Sequence, residues 1–110
     1  LHYGHAAFPN AEEVRPGEMK LHDMGAEYHG YTADITCTFP VDGRFTPEQR
    51  AVYAAVWEAT LAVERSVRPG VSYRDMHLLA ERTLLEQMTE AGLLTGKVEE
   101  MMEAMAEMSL

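Results

Sequence analysis

The chain has 110 residues, 46% of them hydrophobic and 25% charged, which leaves room for one modest domain with a real core. A formal charge of −9 argues against nucleic acid as a partner, because nothing here would neutralise a phosphate backbone. The single Cys37 excludes an intrachain disulfide and leans toward a reducing compartment, and no apolar run approaches the roughly 18 residues of a membrane span.

Leu1 to Phe8 reads as a short strand, stopped by the turn chemistry of Pro9-Asn10. The chain starts at Leu1-His2-Tyr3 without a methionine, as though within a strand. His2 and His5 lie three apart and would face opposite ways on that strand. Glu12 to Gly17 is a polar connector with Arg15-Pro16-Gly17 as its turn.

A β-hairpin follows, with strands from about Glu18 to Gly25 and from about Gly30 to Phe39, turning on Tyr28-His29. That turn places Asp23 directly opposite Asp34 on one face, with their Cβ atoms roughly 5 Å apart. Two carboxylates so close repel unless a cation or proton lies between them. A dinuclear metal site, with ions on the order of 4 Å apart, suits the geometry. The ordinary alternative is that both aspartates sit in solvated turns. Asp23 favours the metal reading, because it follows Met19 and Leu21 on one face of the strand. Thr36 falls on the face of Asp34, where its hydroxyl would orient a metal-bound water.

The two strands disagree about which face is dry. Met19 and Leu21 accompany Asp23, whereas Tyr31, Ala33, Ile35, Cys37 and Phe39 lie opposite Asp34. Either a bulge shifts the register or both faces are covered, and the covered sheet with a polar pocket on one side is the preferred reading.

Thr46-Pro47-Glu48-Gln49 opens a helix with an N-cap, a proline at the first position and a capping box. Its apolar stripe is Val52, Val56, Ala59 and Val63, widened by Ala55 and Ala62, and Arg68-Pro69-Gly70 stops it. Ser72 and Asp75 cap a second helix with Met76, Leu79, Ala80, Thr83, Leu84 and Met88 on its stripe, and Gly92 closes it. A third begins near Thr95, with Val98, Met101, Met102 and Met105 on one face. A methionine-rich groove for a helical partner is one reading of that face, but methionine at this spacing is more often core.

Asp23 and Asp34 alone cannot hold two ions, since each needs several ligands. Spacing singles out none of His2, His5, His22, His29 or His77 as a ligand. His22 points away from Asp23, His29 is a turn residue, and His77 sits in the first turn of a helix.

Asp23-Met24-Gly25-Ala26-Glu27-Tyr28, followed by Asp34-Ile35-Thr36-Cys37-Thr38-Phe39-Pro40, resembles the metallopeptidases of the pita-bread fold. That family includes Xaa-Pro dipeptidase (prolidase), aminopeptidase P and methionine aminopeptidase. Leu1-His2-Tyr3-Gly4-His5 with Pro9-Asn10, and cysteine rather than arginine at position 37, make prolidase the most similar member. The resemblance continues through Gly43-Arg44-Phe45-Thr46 and the helices to about Gly96.

The resemblance implies an α/β (α+β) piece of the pita-bread (creatinase/aminopeptidase-like) fold, with a curved antiparallel sheet and flanking helices. Residues 1–110 would be part of a C-terminal catalytic domain, with no second domain in the chain. Asp23 would bind one metal and Asp34 would bridge both, with Thr36 supporting the bridge. His2 would contact the substrate. The family's remaining metal ligands and its proton-shuttling glutamate lie beyond the matched motifs, so no catalytic acid or base is assigned here and the piece alone is expected to be inactive.

The implied cofactor is a pair of divalent ions, Mn²⁺ first, with Co²⁺ or Zn²⁺ as alternatives. The implied activity is metal-assisted hydrolysis of Xaa-Pro dipeptides in the cytoplasm by a homodimeric parent enzyme. Partners would be the dipeptide and the rest of the catalytic domain, with no nucleic acid and no membrane. Aminopeptidase P-like removal of a residue before proline is the near alternative. A non-catalytic binding domain of the same fold is a third.

Overall fold

The computed structural model describes residues 12–108, with side chains through Ala106. The predicted strand over Leu1 to Phe8, with His2 and His5, lies outside the described residues. Within them the chain is mixed α/β, with four antiparallel strands followed by three helices. It divides into two compact units between Thr46 and Pro47.

The first unit is the hairpin. β1 (Met19–Met24) pairs with β4 (Ile35–Pro40), and β2 (Glu27–Tyr28) pairs with β3 (Tyr31–Thr32). The register is the same in both ladders, from Met19 opposite Pro40 to Tyr28 opposite Tyr31. Between the ladders, Gly25-Ala26 faces Ala33-Asp34, and the Ala33 N–H donates to the Ala26 carbonyl at 3.0 Å. Both strands contribute two residues to this gap, so the register does not shift and no bulge is needed.

The turn is His29-Gly30, one residue later than the sequence reading placed it. A two-residue turn that matches strand twist needs positive φ at both central positions. His29 has φ 51° and Gly30 φ 82°. Gly30 supplies the second position without steric cost, whereas centring on Tyr28 would force a bulky ring residue into the left-handed region. The Glu27 carboxylate accepts the Gly30 N–H at 2.6 Å and holds the turn. The consequence is a correction to the site: Asp23 faces Thr36, and Asp34 lies diagonally across.

Gly25 has a separate reason to be glycine. A Cβ there would collide with the Ala33 carbonyl oxygen and come within 3.2 Å of its carbon. At the open end, Val41 donates to the Glu18 carbonyl at 2.9 Å, and Gly17 N–H donates to Asp42 Oδ2 at 2.7 Å.

The expectation that both hairpin faces are covered does not hold among the described residues. Met19, Leu21 and Thr38 are half-buried and Pro40 is buried on the face of Asp23. On the other face Met24, Ile35 and Phe39 are exposed, while His22 is half-buried with its ring edge-on to Phe39 at 5.2 Å.

The second unit is helical: α1 (Pro47–Ser66), α2 (Tyr73–Glu90) and α3 (Val98–Met108). The starts of α1 and α2 follow the sequence signals, whereas α3 begins at Val98 rather than near Thr95. α1 begins at Pro47, whose missing N–H costs nothing in a first turn. The Ser72 hydroxyl oxygen accepts the Asp75 N–H at 3.1 Å, and Gly92, at φ 73°, follows the end of α2.

α1 packs on α2, and four members of its predicted stripe are covered: Ala55 and Ala59 are buried and Ala62 and Val63 half-buried, whereas Val52 and Val56 are 42% and 51% exposed. Small side chains let two helices approach closely, which suits the burial of Ala55 and Ala59. α2 also contacts α3, where Met101, Met102 and Met105 are half-buried and Glu99 and Glu103 are exposed. Arg82 on α2 reaches Glu99 at 3.4 Å and ties the two helices at their surface.

Candidate metal centre

The two aspartates expected to bind metal lie at the end of the β1–β4 ladder. Asp23 sits next to the end of β1, opposite Thr36, and Asp34 immediately precedes β4. Paired residues of an antiparallel ladder project from the same face, so Asp23 and Thr36 share one side. The Thr36 hydroxyl lies 2.6 Å from Asp34 Oδ1 and 3.3 Å from Asp23 Oδ1. One hydroxyl thus touches both carboxylates.

That hydroxyl has a single proton, so it can donate to one carboxylate at a time. The shorter contact assigns it to Asp34, which leaves Asp23 facing a like charge with no full donor from this threonine. All three side chains are exposed. Converging carboxylate oxygens open to solvent are hard donors of the kind that suit Mn²⁺, Mg²⁺ or a similar cation. The residues present therefore fit part of a metal site. They do not make a whole one: among the described residues no group of three His, Cys, Asp or Glu is placed to hold an ion.

The two described histidines of the hairpin unit stand apart from this pair. His22 lies on the opposite face, across from Cys37 and against Phe39. His29 occupies the turn, its ring 4.2 Å from that of Tyr28. His77 is on α2, with Nε2 3.0 Å from Glu81 Oε1. His2 lies outside the described residues.

Gly25 is the position the sequence reading passed over. It lies in the ladder gap, across from Asp34, and its missing Cβ lets the Ala33 carbonyl approach. A glycine at the end of a strand pattern is the signal that marks such a close approach.

A model of metallopeptidase family M24 matches residues 1–106. The chain belongs to that family. It is 48% identical to human Xaa-Pro dipeptidase over 104 residues, covering 94% of this chain and 21% of that protein. Against Xaa-Pro aminopeptidase 2 of Streptomyces coelicolor it is 47% identical over 91 residues, covering 82% of this chain and 19% of that protein. Among solved M24 structures, proline aminopeptidase P II from Yersinia pestis matches with a TM-score of 0.81 and 40% identity, over 92% of this chain and 23% of that one. Zinc-substituted aminopeptidase P of Escherichia coli, solved with product, matches with a TM-score of 0.81 and 37% identity over the same shares. The chain thus spans about a fifth of the length of the M24 relatives it matches. No helix among its described residues is long and apolar enough to cross a membrane.

Proposed function

We propose that this chain is part of the catalytic domain of an Xaa-Pro dipeptidase, and that Asp23 and Asp34 hold its divalent metal. The observation that carries the reading is the Thr36 hydroxyl standing within reach of both carboxylates. A second point supports it. Two solved variants of E. coli aminopeptidase P each replace an aspartate by alanine, and those aspartates are eleven positions apart, the spacing of Asp23 and Asp34 here.

In this reading Asp23 would help to hold one ion and Asp34 would help to hold both. A divalent pair, when bound, supplies Lewis-acid polarisation of the scissile carbonyl and makes a water more acidic. The chain's own residues prepare that site. The hairpin fixes the spacing of the two carboxylates, and Thr36 holds one oxygen of Asp34 so that the other stays available. His2 is assigned to the dipeptide. No residue of this chain is assigned the role of general acid or base.

Mn²⁺ is the ion assigned first, with Co²⁺ and Zn²⁺ as alternatives. Asp23 and Asp34 offer at most four carboxylate oxygens, whereas two six-coordinate ions ask for about a dozen donors. The 110 residues alone are therefore expected to lack activity. We place the parent enzyme in the cytoplasm, consistent with the lone Cys37, and assign it a homodimer from the prolidase resemblance alone.

Aminopeptidase P-like cleavage before proline is the second reading, and the solved aminopeptidase P structures favour it. Dipeptidase stands first because the dipeptidase match covers more of the chain, 94% against 82%.

The test is Asp34→Asn in the intact enzyme that contains this segment. A neutral amide in the bridging position weakens both ions, so hydrolysis of Gly-Pro and bound metal should both be lost while the fold survives. Turnover within about tenfold of wild type, less than roughly 1.4 kcal/mol of transition-state stabilisation, would overturn the assignment. Cleavage of longer Xaa-Pro peptides in preference to Gly-Pro would favour the aminopeptidase reading.

A further inference from the structure

We draw no further inference here: the strongest candidate, the exposed apolar face of α1 formed by Val52, Val56 and Trp57, carries nothing because nothing in the structure shows what covers it.

Discussion

Asp23 stands opposite Thr36 across the hairpin, and the Thr36 hydroxyl lies 3.3 Å from an Asp23 carboxylate oxygen. The same hydroxyl is closer to Asp34, at 2.6 Å. Thr36 is thus the hinge between two groups that would otherwise only repel. In the proposed metal site, a side chain that touches both carboxylates would set how each is presented to the cation.

Thr36→Val keeps the β-branched shape of the strand and removes the hydroxyl. In the intact enzyme, Mn²⁺ affinity is expected to fall about 10–100-fold, the range seen when partners of metal ligands are lost. Calorimetric titration of the metal-free enzyme checks this, and an unchanged melting temperature separates it from misfolding. Wild-type affinity would show that the hydroxyl has no part in holding the carboxylates.

Gly25→Ala should destabilise the hairpin even though alanine is otherwise well tolerated. Its Cβ would overlap the Ala33 carbonyl, and that backbone cannot move without disturbing Asp34. Overpacking of this kind costs about 1–3 kcal/mol. Urea unfolding of the intact protein measures it, and a neutral result would mean that the strands separate here more readily than the close approach indicates.

His29 occupies a left-handed position that asparagine takes easily and valine does not. His29→Asn is expected to change stability by less than about 0.5 kcal/mol, and His29→Val to cost about 1–2 kcal/mol. Equal stabilities for the two variants would argue against positive φ at this turn.

Glu99 connects acid stability to the α2–α3 contact. Its pKa lies below the usual glutamate value, first through a hydrogen bond from its own backbone N–H and then through Arg82. An acid whose pKa is lowered on folding stabilises the fold above its unfolded pKa. That contribution is lost as pH falls through the lower folded value. Glu99 is fully exposed, so the effect is small and weakens with salt. Glu99→Gln should therefore flatten the acid side of the stability curve at low ionic strength, and an unaltered curve would remove Glu99 from the account.

Much of this was legible in the residues. Thr46-Pro47 and Ser72 announced two helices, and α1 and α2 begin next to them. The pairing of Asp23 and Asp34 on one face also followed from their odd separation, which a shift of the turn by one residue does not alter. Their exact partners did not follow. The turn signal most readily read from sequence is Asn-Gly, and here histidine stands in the first place, so the centre was set one residue early. The ladder gap was hidden as well, because it depends on how closely two backbones approach at Gly25. The stripe of α1 was legible in part. Periodicity gives an apolar face but not how deeply each member is covered: Ala55 and Ala59 are buried, Ala62 and Val63 half-buried, and Val52 and Val56 exposed.

The gap between the two ladders has an evolutionary consequence. It separates a base, where Asp23 and Thr36 are paired and on whose alignment the neighbouring Asp34 depends, from a tip made of β2, β3 and the His29-Gly30 turn. Lengthening the tip by one residue on each strand leaves every residue of the base where it was. Adding a residue to one strand of the base instead reverses the side on which everything beyond it projects. Insertions and deletions among relatives should therefore gather between Ala26 and Ala33, and those that extend the strands should come in twos. The tip can change its length while the base keeps its alignment.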